Sequence, residues 1–154
     1  MLNKIKKIKN KKFLEKNIFL KKINSNNCNK KYLSWLSDRK INQYLETRWT
    51  KYNTGSLKKF VNFCNSSNSI ILFGIFFKNE HIGNIKIDIN MNHEFCYLGY
   101  FIGDSKYHGK KLASEAVNIC CYIAFRYLNL RMCFAGVYKE NKPGIKLLEK
   151  NKFK

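Results

Sequence analysis

The chain has 154 residues, enough for one domain with a real core and too few for two. Its 45% hydrophobic and 15% aromatic content with a single proline excludes a disordered polymer, and no apolar run approaches the ~20 residues of a membrane span. The net charge of +20 rests on twenty-six Lys and only four Arg, so it reads as a solvated lysine coat, and direct nucleic-acid binding is not expected.

Residues 1–12, charged throughout and without the apolar stretch of a secretory signal, read as a basic N-terminal arm, leaving 13–154 as one domain. Alternating apolar residues between Phe13 and Ile23 predict a first strand. Ser25 to Asn29 is a turn and cap cluster, followed by Tyr32, Leu33, Trp35 and Leu36 at helical spacing. Ser37 or Asp38 caps a second helix carrying Ile41, Tyr44 and Leu45. A third begins at Thr54 with Leu57, Phe60, Val61 and Cys64 on one face.

The centre changes character. Ile70 to Phe77, His81 to Ile89 and Phe95 to Ile102 are β-branched and aromatic runs separated by hairpin-sized connections. From Gly109 the period becomes helical, with Leu112, Ala116, Ile119, Ile123 and Tyr127 as the inner stripe. Leu130 to Tyr138 is a further strand and Asn141 to Glu149 a further helix. The order describes an α+β fold, a mainly antiparallel sheet ending in a βαβ crossover. Six cysteines (Cys28, Cys64, Cys96, Cys120, Cys121, Cys133) follow no metal-ligand spacing; no metal is expected, and a reducing cytoplasm suits them.

The segment from Leu98 to Ala116 runs strand, polar turn, small-residue loop, helix, and such a junction collects unpaired amides and the helix dipole into an anion site. Lys110 and Lys111 add charge suited to a pyrophosphate. His108-Gly-Lys-Lys-Leu-Ala113 resembles the acetyl-coenzyme-A loop of the GNAT superfamily of N-acetyltransferases, Gln/Arg-x-x-Gly-x-Gly/Ala. The likeness continues in Ser114 to Ala116, Tyr122 to Leu130 and Gly136 to Lys150, and upstream Tyr32 to Asp38, Gln43 to Arg48, His81 to Ile87 and Ile89 to His93 match the RimJ/RimL-like branch.

That resemblance implies acetyl-CoA as co-substrate, lying where two strands splay. The pantetheine would pair with backbone of Tyr100, Phe101 and Ile102, and Asn141 would hold its arm. His108, Gly109, Lys110, Lys111, Leu112, Ala113 and Ser114 would surround the pyrophosphate. It implies direct attack by a primary amine, of an amino sugar on a nucleotide first and a protein N-terminus second, with the oxyanion held by a strand amide. His93, Glu94, Tyr97 and Tyr138 are the expected catalytic positions, and Trp35, Glu46 and Arg48 the acceptor contacts. Four positions depart from the pattern: Lys111 and Lys152 replace Gly, Tyr97 replaces a Glu, and Leu148 stands where many relatives carry the Tyr that reprotonates the thiolate. The family's last two strands are also missing, which raises a truncated, catalytically impaired binding module as the alternative and leaves an edge that a homodimer would complete.

Overall fold

The computed structural model describes residues 1–154. Its core is one six-stranded sheet in the order β1-β2-β3-β4-β5-β6, built from β1 (Phe13–Leu14), β2 (Ile18–Lys22), β3 (Ile70–Phe77), β4 (Glu80–Asn90), β5 (Phe95–Ile102) and β6 (Met132–Ala135). Every neighbouring pair is antiparallel except β5 with β6. The two parallel strands are joined by α5 (Leu112–Tyr122), whose last turn widens into a π-helix at Ile123–Tyr127. The remaining helices are α1 (Leu2–Lys9), α2 (Lys30–Ser37), α3 (Arg39–Asn42), α4 (Thr54–Ser66) and α6 (Lys142–Lys150). No helix is long and apolar enough to cross a membrane.

Strand β3 shows how the layers form. Ile71, Phe73 and Ile75 point into the larger core with the inner stripe of α5, while Ile70, Leu72 and Phe76 point into a second core under α2 and α4. A strand apolar on both faces has to be covered on both, so the sheet is sandwiched between helices.

The expected basic arm is instead helix α1. Ile5 and Ile8 are one turn apart and fully buried in the larger core, an apolar pair hidden among lysines. Lys9 follows them inside, 5% exposed, and its Nζ donates to the carbonyls of Cys64, Asn65 and Ser67 at 2.8, 3.1 and 2.6 Å. These belong to the C-terminal end of α4, where orphan carbonyls need a donor. Burial, and then Lys22, push the Lys9 ammonium below its ordinary pKa. The expected first strand divides into the β1–β2 hairpin, the last helix lies at Lys142–Lys150 as read, and the last strand is only Met132–Ala135, four residues of the expected Leu130 to Tyr138.

Candidate active site

Strands β5 and β6 pair only at Phe95↔Met132, Cys96↔Cys133, Tyr97↔Phe134 and Leu98↔Ala135. Past Leu98 they part: β5 continues along β4 to Ile102, and the chain after Ala135 leaves the sheet. Gly103 N–H donates to the Ile82 carbonyl at 2.8 Å on the β4 side, and Arg131 N–H to the Glu94 carbonyl at 2.7 Å on the β6 side. Alternation along β5 therefore aims the backbone groups of Tyr100 and Ile102 into the gap, and those of Gly99 and Phe101 at β4. The Ile102 carbonyl accepts from His108 Nε2 at 2.8 Å, which puts the imidazole proton on that nitrogen. The amides of Tyr100 and Ile102 and the carbonyl of Tyr100 are left facing the fork.

At its mouth stands the turn into α5. Gly109 has φ +73° and Lys111 φ +64°, both left-handed, and a Cβ on Gly109 would meet nothing within 4 Å. The N–H groups from Gly109 to Ser114 donate to no protein acceptor; the first of the helix to do so is Glu115, to the Lys111 carbonyl at 3.1 Å. Unpaired amides at the positive end of an 11-residue helix, with the exposed Lys110 and Lys111 beside them, attract an anion. Lys111 supplies the left-handed residue that glycine normally provides, at ~1–2 kcal/mol of backbone strain. Its side chain is exposed.

The approach to this turn is pinned from outside. Glu80, at the start of β4, accepts from Lys31 Nζ at 2.7 Å, from the Tyr107 hydroxyl, and from Lys106 Nζ at 3.2 Å. Those three donors, Lys31 foremost, hold the Glu80 carboxyl down to about 2. Other polar groups near α5 are also engaged. Glu115 accepts both the backbone N–H and the side-chain amide of Asn17, at 3.0 and 2.6 Å, and Ser114 Oγ accepts from Asn151 Nδ2 at 2.7 Å.

On the second-core face the fork is roofed by α2, α3 and the turn at Glu46–Trp49. Trp35 lies against Gly103, at the end of β5, so closely that a Cβ there has no room. Beyond β6, the Arg48 guanidinium sits over the rings of Tyr138 and Trp49 at 4.9 and 5.0 Å, and the Tyr44 hydroxyl donates to the Glu140 carbonyl at 3.4 Å. Beneath lies an aromatic floor with Tyr97 and Phe134 5.3 Å apart, and Gly99 and Gly136 leave open space beside it. Asp88 is the register partner of Tyr97 and of Ile70, so its carboxylate stands on this same face, 3.6 Å from Lys86 Nζ. The sequence reading missed Asp88; strand alternation relative to Tyr97 was the available signal.

The sequence-derived positions do not all come together. Tyr100, Ile102 and the turn from His108 to Ser114 converge at the fork, with Tyr97, Tyr138 and Arg48 on its roofed side. Phe101 directs its backbone to β4 and its ring toward Tyr32 and Trp35, away from the gap. His93 and Glu94 lie in the β4–β5 turn, and the four strand steps from Phe95 to Gly99 put them more than ~13 Å from the fork. Trp35 is 5% exposed and packs on His81, so it supports the roof from within. Glu46 is exposed at the rim, Asn141 caps α6 by accepting from Gly144 N–H at 3.0 Å, and Leu148 is buried in the fold. Burial pushes the Tyr100 phenol up to about 12, so it stays protonated.

Residues 18–154 match the family profile described as acetyltransferase (GNAT) domain. An acetyltransferase (GNAT family) from Bacillus anthracis superposes with a TM-score of 0.78 at 19% identity, covering 91% of this chain and 81% of that one. The ribosomal α-N-protein acetyltransferase RimL, solved with coenzyme A, gives 0.80 at 16% identity over 93% of this chain and 84% of its own. The microcin self-immunity acetyltransferase MccE, solved with acetyl-CoA and AMP, gives 0.73 at 17% identity over 88% and 78%. The sequence matches no curated protein.

Proposed function

The chain belongs to the acetyltransferase (GNAT) family, and from that premise we propose that it carries the acetyl group of acetyl-CoA to a primary amine held at the β5–β6 fork. The carrying observation is the fork itself: two parallel strands part after Leu98 and Ala135, and a run of unpaired amides stands at the opening. The residues present fit the donor. A pyrophosphate finds the N–H groups of Gly109 to Ser114 with Lys110 and Lys111, and the pantetheine amides find the strand groups of Tyr100 and Ile102. Acetyl-CoA supplies an activated thioester, so the protein needs no nucleophile of its own.

What remains for the chain is to orient the amine and take its proton. The Tyr100 N–H, aimed into the gap, is the donor placed to receive a developing oxyanion. Asp88 is the acid–base group on the acceptor face, in the service Glu94 and His93 are too far away to give. Arg48 and Tyr138 hold the acceptor from above, with Tyr97 below. Of the two acceptors the resemblance implies, a polypeptide amino terminus is better supported than a nucleotide-linked amino sugar, because the aromatic floor of Tyr97 and Phe134 is exposed and open at Gly136.

Calorimetric titration with acetyl-CoA, followed by transfer assays on a short peptide with a free amino terminus and on a nucleotide-linked amino sugar, tests this reading. Binding with acetylation of the peptide is expected. No binding at millimolar acetyl-CoA overturns the enzyme, and transfer to the sugar alone overturns the acceptor.

A further inference from the structure

A second opening lies at the opposite edge of the sheet. The β1–β2 register pairs Phe13 with Leu20 and Leu14 with Phe19 and then stops. Continuing it by two places sets Lys12 opposite Lys21 and Lys11 opposite Lys22, and like charges directly opposed on a ladder repel. The ladder ends where those lysines begin, and a hollow of about 250 Å³ opens there, lined by Lys9, Asn10, Lys11, Lys12, Lys21 and Lys22.

Nothing in the fold neutralises this hollow. None of its lysines takes part in an ion pair, and no carboxylate lines it. Three are instead placed over aromatic faces, which steady a cation without discharging it: Lys12 over Phe19 at 3.8 Å, Lys11 over Tyr127 at 5.2 Å and Lys21 over Phe76 at 5.2 Å. The back wall is fixed by Lys9, whose bonds to the end of α4 lock the turn from α1 into β1. Lys11, Lys12, Lys21 and Lys22 thus bring positive charge without a counter-ion to the rim of a concavity, and that charge attracts an anion.

We propose that this hairpin opening is a polyphosphate-binding site, taking a short chain of adjacent phosphate groups such as a triphosphate. Lysines suit it as mobile point charges that follow a phosphate chain, without the planar fork arginine would bring to a single group. The rings nearby are covered by the lysines themselves, so no platform remains on which nucleic-acid bases would stack. The site stands on the far edge from the acetyl-transfer fork and does not depend on it.

Titration of the full chain with inorganic tripolyphosphate, in saturating coenzyme A to mask the first anion site, reads the proposal directly. Binding that weakens with added salt is expected, and Lys12→Gln with Lys21→Gln is expected to weaken it roughly tenfold. The same charge removed from α4, Lys58→Gln with Lys59→Gln, is expected to leave it unchanged. Absence of binding, or an equal loss in the α4 pair, overturns the proposal. So does a single-stranded oligonucleotide that binds more tightly than tripolyphosphate through the same two lysines, since that reassigns the opening to nucleic acid.

Discussion

At the β5–β6 opening the strands part with exposed glycines and unpaired amides on either side, and Lys110 and Lys111 stand at its mouth. At the β1–β2 opening the ladder ends where the chain turns out of α1, with Lys11 N–H bonded to the Ile8 carbonyl, and lysines line the space that is left. One is a gap lined by hydrogen-bonding groups, the other a hollow lined by charge. The contrast teaches that a broken ladder has more than one physical origin, and that each origin attracts a different part of an anionic molecule.

Charge reversal separates them most sharply. Lys110→Glu with Lys111→Glu is expected to weaken acetyl-CoA binding about 100-fold, since both charges and the sign of the field at the helix end are lost. Reversing Lys12 and Lys21 instead is expected to leave acetyl-CoA affinity alone. Calorimetry on both pairs checks this, and equal losses would erase the distinction. Within the first opening, Asp88→Asn is expected to lower kcat by roughly 100-fold with KM for acetyl-CoA unchanged. A kcat equal to the parent's would remove Asp88 from the chemistry.

A smaller effect concerns the brace outside that opening. Glu80 titrates near 2 in the fold against an ordinary 4.5, so the unfolded chain takes up its proton first as the solution is acidified. Its contribution is complete above about pH 4.5 and drains away toward pH 2. Glu80→Gln should flatten that stretch of a chemical-denaturation series recorded against pH, and an unaltered slope would mean the three donors add nothing. The smallest change expected is Lys111→Gly. Relief of ~1–2 kcal/mol of left-handed strain is set against about 0.5–1 kcal/mol of added chain entropy. Thermal unfolding should show a net gain between about 0 and 1.5 kcal/mol, together with weaker acetyl-CoA binding from the lost charge.

Much of the frame was legible because its signals are long. The stripe from Leu112 to Tyr127 spans the whole crossover helix, and β3, β4 and β5 are each eight or more residues long. Short signals failed. Helix α1 declares itself by two isoleucines among lysines, and periodicity over eight residues competes poorly with such a composition. At the candidate site, the turn from His108 to Ser114 was visible as chemistry and as resemblance, whereas His93 illustrates the opposite case: matching a motif fixed its place in the chain but not its distance from the fork. Asp88 was hidden because the side of a strand that a residue occupies depends on register, which only pairing with Tyr97 reveals.

The amine of Lys9 has a use to the experimenter that its twenty-five fellow lysines lack. Sealed against three carbonyls, it is shielded from any electrophile in solution until α1 lifts from the sheet. Brief treatment with an acylating reagent would tag the coat and spare this one nitrogen, so the slow appearance of its label is a clock for the detachment of the first eight-residue helix.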